Sequence, residues 1–300
     1  GPLGGDPAFD QPVDDRLGGA PANVACGLAR LGTPVVFVGR VGDDFIGKQF
    51  SALFRQRGVE NSGLQRDPDR PSRIVLVRRS QDGERQFQGF AGDGGQGFAD
   101  QALGPVSLPQ GARWLLVGTI PLATDPSAST LKAAFDQARQ LQISIALDVN
   151  WRPTFWDADA DPSAGPPPSA LAAIRPLLEQ AALIKLAREE AIWFFGSAQA
   201  QVISGLLPQA PDVVVTDGAE PVTWWMEGAS GSLAAFRPSD VVDTTGAGDA
   251  FTAGLLHCWD LPPAHRVRFA AGCGALVCSG AGGIDPQPSA PEVEAFIAGA

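Results

Sequence analysis

Five short apolar runs recur along the chain: VVFVG (35–39), WLLVG (114–118), ISIAL (143–147), ALIKL (182–186) and DVVVT (212–216). A strand that is apolar at nearly every position has no wet face, so a sheet of such strands must be covered on both sides. Helical patterns near 21–31, 44–57, 127–140, 168–180 and 188–206 fall between the runs and supply the cover. The alternation predicts an α/β fold of three layers around a mostly parallel central sheet. At 300 residues and 44% hydrophobic composition the chain can bury a substantial core, in one large domain or two smaller ones.

One stretch breaks this rhythm. SRIVLVRRSQDGERQFQGF (72–90) holds two strand-like segments around Asp82-Gly83, a hairpin turn signal. Six arginines fall close by: Arg66, Arg70, Arg73, Arg78, Arg79 and Arg85. The expectation is a solvated face on an exposed hairpin, and within a parallel α/β protein an inserted hairpin is a candidate lid. DADADPSAGPPPSA (157–170) reads as a surface loop.

Composition narrows the function. A net charge of −11 argues against nucleic acid as a general partner. No apolar run reaches the ~18–20 residues of a membrane span, and no signal peptide opens the chain. Cys26, Cys258, Cys273 and Cys278 lie in apolar helix-like contexts without paired ligand spacing, as expected of free thiols in a cytoplasmic protein. Tyrosine is absent, which excludes tyrosine-based catalysis. His257 and His265 are too scattered for a metal site and are assigned to packing.

The segment with most chemical content is DTTGAGDAF (243–251). Extended chain enters the glycines through AAF (234–236) and the apolar pair 241–242, and a helix leaves them to about Trp259, where Leu261-Pro262-Pro263 stops it. A glycine turn at a helix N-terminus gathers unpaired N–H groups with no Cβ to block approach, which suits an anion. Asp249, beside that turn, makes sense as a proton acceptor for a hydroxyl attacking a bound phosphate, or simply as a first-turn helix stabiliser. The dinucleotide fingerprint fails because Phe251 stands where a third glycine belongs, and no GxxxxGK[ST] occurs.

Other polar positions sit at strand ends or helix starts. Gly18-Gly19-Ala20-Pro21-Ala22-Asn23 opens a helix, and Asn23 can offer a donor and an acceptor to hydroxyls, though a plain helix entry reads the same way. Asp148-Val149-Asn150-Trp151-Arg152 follows ISIAL, where open α/β sheets bind ligands; a structural Asp–Arg pair is the alternative. Thr216-Asp217-Gly218 could approach a nucleotide or form a β-turn. Glu190 could act on a metal through water or cap its helix.

Together, GGAPANVACGLARLG (18–32), VGRVGDDFIGKQF (38–50), DVNWR (148–152), VVTDG (214–218) and DTTGAGDAF (243–251) resemble the PfkB-type, ribokinase-like carbohydrate kinases, in order and spacing, over nearly the whole chain. The GGAPANVA and DVNWRPTFW segments look most like fructokinases. The resemblance implies one ribokinase-like domain over 1–300, with a hairpin lid at 72–92 that parts of 1–17 join and that often mediates homodimers. It implies phosphoryl transfer from ATP to a sugar hydroxyl, for fructose the 6-hydroxyl. Asp249 would be the base, and the amides of Gly246, Ala247 and Gly248 the anion hole. Gly18, Gly19, Asn23, Asn150 and Arg152 would hold the sugar, with Arg152 near it or the phosphoryl group. Lys185, Thr216 and Gly218 would lie by the nucleotide. Family members need Mg²⁺ with ATP, for which Glu190 would act through water. Many are activated by K⁺, at a position corresponding to Asp243 and Thr245 with SGAGG (279–283) nearby. A keto-acid sugar kinase, a nucleoside kinase and a non-catalytic scaffold are the alternatives.

Three departures from the family pattern stand out. The chain opens at GPLGGDPAFDQ without the family's first strand, which commonly ends in Gly-Glu and then a sugar-gripping Asp. Either GPLG is a tag-cleavage scar and the strand was removed, or the natural protein carries a segment before Gly1. The Asn-x-x-Glu motif reads Ala187-Arg188-Glu189-Glu190, and Pro221 replaces a glycine usual after VTDG.

Overall fold

The computed structural model describes residues 16–79, 85–238 and 240–299. In chain order its strands are β1 (Val36–Gly42), β2 (Glu60–Asp67), β3 (Ile74–Arg79), β4 (Arg85–Ala91), β5 (Trp114–Val117), β6 (Ser144–Asp148), β7 (Leu183–Ala187), β8 (Asp212–Asp217), β9 (Glu220–Met226) and β10 (Ala229–Leu233). The helices are α1 (Ala20–Leu31), α2 (Phe45–Arg57), α3 (Ser127–Gln140), α4 (Pro153–Trp156), α5 (Pro168–Leu178), α6 (Arg188–Phe195), α7 (Ala200–Gly205), α8 (Ala247–His257), α9 (Pro263–Val277) and α10 (Ala290–Ala298).

Six strands form the central sheet in the order β10-β9-β8-β7-β6-β5. β5 to β8 are parallel; β9 and β10 return antiparallel, so the sheet is mixed at that end. Four of the five apolar runs are therefore central strands. The fifth is not: β1 pairs in parallel with β2 in a separate sheet, and among the described residues β5 pairs only with β6. The expectation that the first strand is missing concerns the stretch before Arg16, which lies outside the described residues.

Period-2 alternation sorts the strand side chains between two cores. Ala146, Leu183 and Val214 face one cluster with Phe251, Leu255 and Val267 of α8 and α9. Their neighbours Ile145, Leu147, Ile184, Leu186, Val213 and Val215 face the other with α3, α5 and α7. This parity has a functional consequence. Asp148 shares a face with Ala146, and Lys185 shares one with Leu183, so both side chains point at α8.

Local chemistry sets the helix limits. Asp44 caps α2 by accepting from the Gly47 amide at 2.8 Å, and Gly58 closes it in the left-handed region. The single helix expected over 188–206 is two, interrupted after Gly196 (φ 68°), which ends α6. α8 ends at His257, short of the expected Trp259 and before the prolines are reached, and Pro262 and Pro263 open the next helix, because a proline is harmless in a first turn. The extended stretch expected at 234–236 is not a strand: β10 ends at Leu233, and these residues follow it without regular structure. Pro221 has no partner in either of β9's ladders and sits where β8–β9 pairing slips, so its missing N–H is not needed.

β3 and β4 form the expected antiparallel hairpin, with an irregularity between Leu76 and Val77; its Asp82-Gly83 turn lies outside the described residues. The solvated-arginine reading is corrected at two positions. Arg66 donates to Ser51 Oγ and Gly42 O, and the Arg73 side chain is only 9% exposed. The four cysteines are buried and free. His257 accepts or donates at Thr33 Oγ1 (2.7 Å) and lies on Phe269, a packing role as expected.

Candidate active site

The carboxyl ends of β6, β7 and β8 converge with the first turns of α1 and α8. Gly246 (φ 76°) is the N-cap of α8, and its left-handed backbone makes the sharp entry into the helix. A Cβ there would meet Gly283 Cα at 2.6 Å, and one at Gly283 would meet Asn23 Nδ2 at 2.5 Å. Glycine at both positions lets the 279–283 loop lie directly on the turn.

Asp249, on the first turn of α8, accepts a hydrogen bond from Asn23 Nδ2 at 2.7 Å, across 226 residues of sequence. Asn23 is held by the first turn of α1, where its amide donates to Gly19 O at 2.9 Å. It is 4% exposed, and its Oδ1 has no hydrogen-bond partner among the described residues. Burial pushes the Asp249 carboxyl from an ordinary 3.8 up to about 6. The Asn23 hydrogen bond and the cations Lys185 and Arg152 restrain that rise, while the nearby Asp148 adds to it.

Beneath the turn lies a charge network. Asp148 and Lys185 are register partners on adjacent strands, with Lys185 Nζ 3.2 Å from both Asp148 oxygens. Thr252 Oγ1 of α8 reaches Asp148 Oδ2 and Gly248 O, each at 3.0 Å. Burial works against the lysine's charge, but Asp148, Glu190 and Asp249 around it prevail and hold its pKa above the usual range. A Cβ on Gly248 would lie 3.0 Å from Lys185 Nζ, so the ammonium sits directly under the glycine turn. Sequence reasoning placed Lys185 beside a nucleotide; its nearest partners are Asp148 and the turn. The Asp–Arg pair weighed for Asp148 is replaced by this Asp–Lys pair.

Arg152 is exposed, with its guanidinium 2.8 Å from Trp151 O and close enough to lower the Asp249 pKa. Asn150 adopts φ 42°, a left-handed conformation that asparagine tolerates, where the chain turns out of β6. Gly18 and Gly19 are exposed before α1, with Gly19 at φ 111°. Glu190 is buried and spends both oxygens on backbone amides, Oε1 on Trp151 at 2.6 Å and Oε2 on Ala187 at 2.8 Å. The geometry is the helix-capping alternative, and it also fixes the strand end that bears Arg152. Desolvation raises the Glu190 pKa, against the pull of Lys185.

Asp243 Oδ1 accepts from Thr245 N (3.0 Å) and Oγ1 (2.5 Å), and Oδ2 accepts from Gly282 N (2.8 Å). It therefore pins the glycine turn to the 279–283 loop. Thr216 and Asp217 end β8, and Gly218 (φ 56°) opens the two-residue turn to β9, across which Asp217 pairs with Glu220. That is the turn alternative, at the strand-end edge of the site.

The donors present fit an anion. Ala247 N spends itself on Thr244 O at 3.3 Å, but no acceptor among the described residues meets the Gly246 or Gly248 amide. Lys185 adds a positive charge below them. No group of three or more His, Cys, Asp or Glu able to hold a metal occurs among the described residues. A magnesium ion here would be carried by phosphates and water, which is its usual preference.

Residues 10–290 match the model of the pfkB family carbohydrate kinases, and the chain belongs to that family. It is 36% identical over 251 residues to a fructokinase of Salmonella typhimurium, an alignment covering 80% of this chain and 75% of that one. It is 32% identical over 295 residues to a Vibrio alginolyticus fructokinase, covering 93% and 91%. Among solved structures, it resembles the Vibrio cholerae fructokinase in its fructose-, ADP- and calcium-bound form with a TM-score of 0.79 at 29% identity, covering 93% and 91%. The ribokinase-like α/β fold and a carbohydrate kinase activity follow from membership.

Proposed function

We propose that the protein transfers the γ-phosphoryl group of ATP to a ketose hydroxyl, most directly the 6-hydroxyl of fructose. One observation carries this reading: Asp249 combines a pKa near 6 with a place at the mouth of a glycine turn whose Gly246 and Gly248 amides meet no acceptor among the described residues. A base with that pKa is ionised at neutral pH, yet basic enough to take a proton from a hydroxyl as the oxygen attacks. Asn23 holds one carboxylate oxygen and leaves the other for the substrate.

Mg-ATP supplies the phosphoryl group and shields its charge. The Gly246 and Gly248 amides and Lys185 would stabilise the charge that develops on the transferring group, where preorganised donors matter most. Arg152 would approach it from the open side. Gly18, Gly19, the free Oδ1 of Asn23 and Asn150 would contact the sugar, and Thr216 and Gly218 the nucleotide. Asp243 and Thr245 support a K⁺ activation site indirectly, by ordering the loop against the turn. The half-exposed Val75 and Val77 on one face of β3 support a homodimer through the hairpin lid. No helix among the described residues is long and apolar enough to cross a membrane.

ADP release measured with Mg-ATP against fructose, glucose, ribose, 2-keto-3-deoxygluconate and adenosine tests the reading. Turnover highest with fructose is expected. Preference for the keto acid or the nucleoside would move the protein elsewhere in the family, and silence with ATP still bound would mark a non-catalytic member.

A further inference from the structure

Arg73 is the residue just before the lid hairpin, and its guanidinium is enclosed by three aromatic rings. Its Cζ lies 4.6 Å from the Phe90 centroid, 4.3 Å from Phe98 and 4.8 Å from Phe155. Its Nε reaches both oxygens of Asp100, at 3.2 and 3.0 Å. The rings also meet one another edge-on, Phe90 with Phe155 at 4.9 Å and with Phe98 at 5.9 Å.

These groups come from three separate pieces of chain. Arg73 leads directly into β3 and Phe90 lies on β4 of the hairpin. Phe98 and Asp100 belong to the short 3₁₀ turn Ala99–Ala102 and the residue before it, tied to the hairpin base by Ala99 N to Pro71 O (2.9 Å). Phe155 belongs to α4, whose single turn opens with Phe155 N donating to Arg152 O at 3.1 Å. One turn of helix thus separates the cage from the exposed cation of the candidate site.

An aliphatic side chain would fill this space without the desolvation that a 9%-exposed guanidinium incurs. Aliphatic packing, however, has no preferred direction. A guanidinium must keep its faces on the rings and its N–H on the carboxylate, so it fixes the three pieces relative to one another.

We propose that Arg73 is a positioning residue, joining the β3–β4 hairpin to the α4 turn so that the hairpin's placement and the orientation of Arg152 change together. The consequence for turnover rests on the kinase reading above; the joint itself does not.

The test combines hydrogen–deuterium exchange with sugar-dependent ADP release on the intact chain, for wild type, Arg73→Met, Arg73→Lys and Phe155→Leu. Arg73→Met should speed exchange about tenfold in both 74–91 and 150–157, the scale of one desolvated cation–π contact, and leave β5 to β8 unchanged. Phe155→Leu, made on α4, should speed exchange in the hairpin. The KM for fructose should rise about tenfold in Arg73→Met with the KM for Mg-ATP within about twofold, and Arg73→Lys should recover part of the loss. Faster exchange in the hairpin alone, or throughout the sheet, would overturn the joint, as would a hairpin indifferent to Phe155→Leu. If the wild type phosphorylates no sugar, the kinase reading fails while the exchange data still decide on the joint.

Discussion

Replacing Asp249 by Asn should sharply reduce turnover and stabilise the fold, and the stabilisation should depend on pH. Burial raises this carboxyl from 3.8 to about 6, so folding opposes its ionisation. Below pH ~4 the group is protonated in both states, and its favourable contribution to the folded state is fully present. Between about 4 and 6 the unfolded chain ionises while the folded one does not, and stability drains away. Above about 6 both are ionised and the whole penalty stands. Two pH units at ~1.4 kcal/mol each give about 3 kcal/mol, which partial solvent access at a half-buried side chain reduces to roughly 1–3 kcal/mol. Urea denaturation of both proteins at pH 8 and pH 4.5 reads this directly. Asp249→Asn should be the more stable at pH 8 by roughly that amount, with most of the gain gone at pH 4.5. Its kcat should fall by roughly 10²–10⁴, the usual scale for losing a general base. In the wild type, kcat/KM, which reports the free enzyme, should fall along an acid limb near pH 6. A mutant that is no more stable at pH 8, or whose gain is the same at both pH values, would refute the argument that burial tunes this group.

Three further substitutions probe the surroundings. Lys185→Met should destabilise the fold by about 3–5 kcal/mol by stranding Asp148, and should move the acid limb of kcat/KM upward, because Lys185 holds the Asp249 pKa down; a stable mutant with an unmoved limb would remove Lys185 from the network. Gly283→Ala places a Cβ 2.5 Å from Asn23 Nδ2, so thermal unfolding should show a loss of about 1–3 kcal/mol, and kcat should fall as Asn23 is pushed off Asp249. Arg152→Gln is at an exposed position, so stability should change by less than about 0.5 kcal/mol while kcat/KM falls at least tenfold, the signature of a site residue with no packing duty.

The covered sheet was legible in the sequence because a doubly buried strand leaves a continuous apolar run, and four of the five runs became β5 to β8. What escaped notice was whatever alternated. β9 (EPVTWWM) and β10 (ASGSL) carry polar, glycine and proline positions suited to a sheet end, and no continuous run marks them. VVFVG looked like its fellows, yet among the described residues β1 pairs only with β2, and its side chains are mostly half-buried, because an apolar run does not say which partner will cover it. The arginine-rich stretch misled for a related reason. Charge was read as exposure, whereas Arg73 is covered by rings that lie 17, 25 and 82 residues further along the chain.

The site divides along the same line. Motifs confined to a few residues, such as the glycine turn and Asp249 behind it, were visible because backbone geometry and chemistry lie within one segment. Pairings between segments were not visible. Asn23 and Asp249 are both on the first turns of glycine-entered helices, and only the packing of α1 against α8 brings them to 2.7 Å. One signal was available for Lys185, a lone lysine inside the apolar strand ALIKL. A buried cation needs a buried anion, and parity alone restricts the choice to residues on the α8 face of neighbouring strands, where Asp148 is the carboxylate at the end of β6. The base and its supporting charges therefore depend on one another: Lys185, with the Asn23 hydrogen bond and Arg152, restrains the rise of the Asp249 pKa, and Asp148, with Glu190 and Asp249, favours the charged form of Lys185.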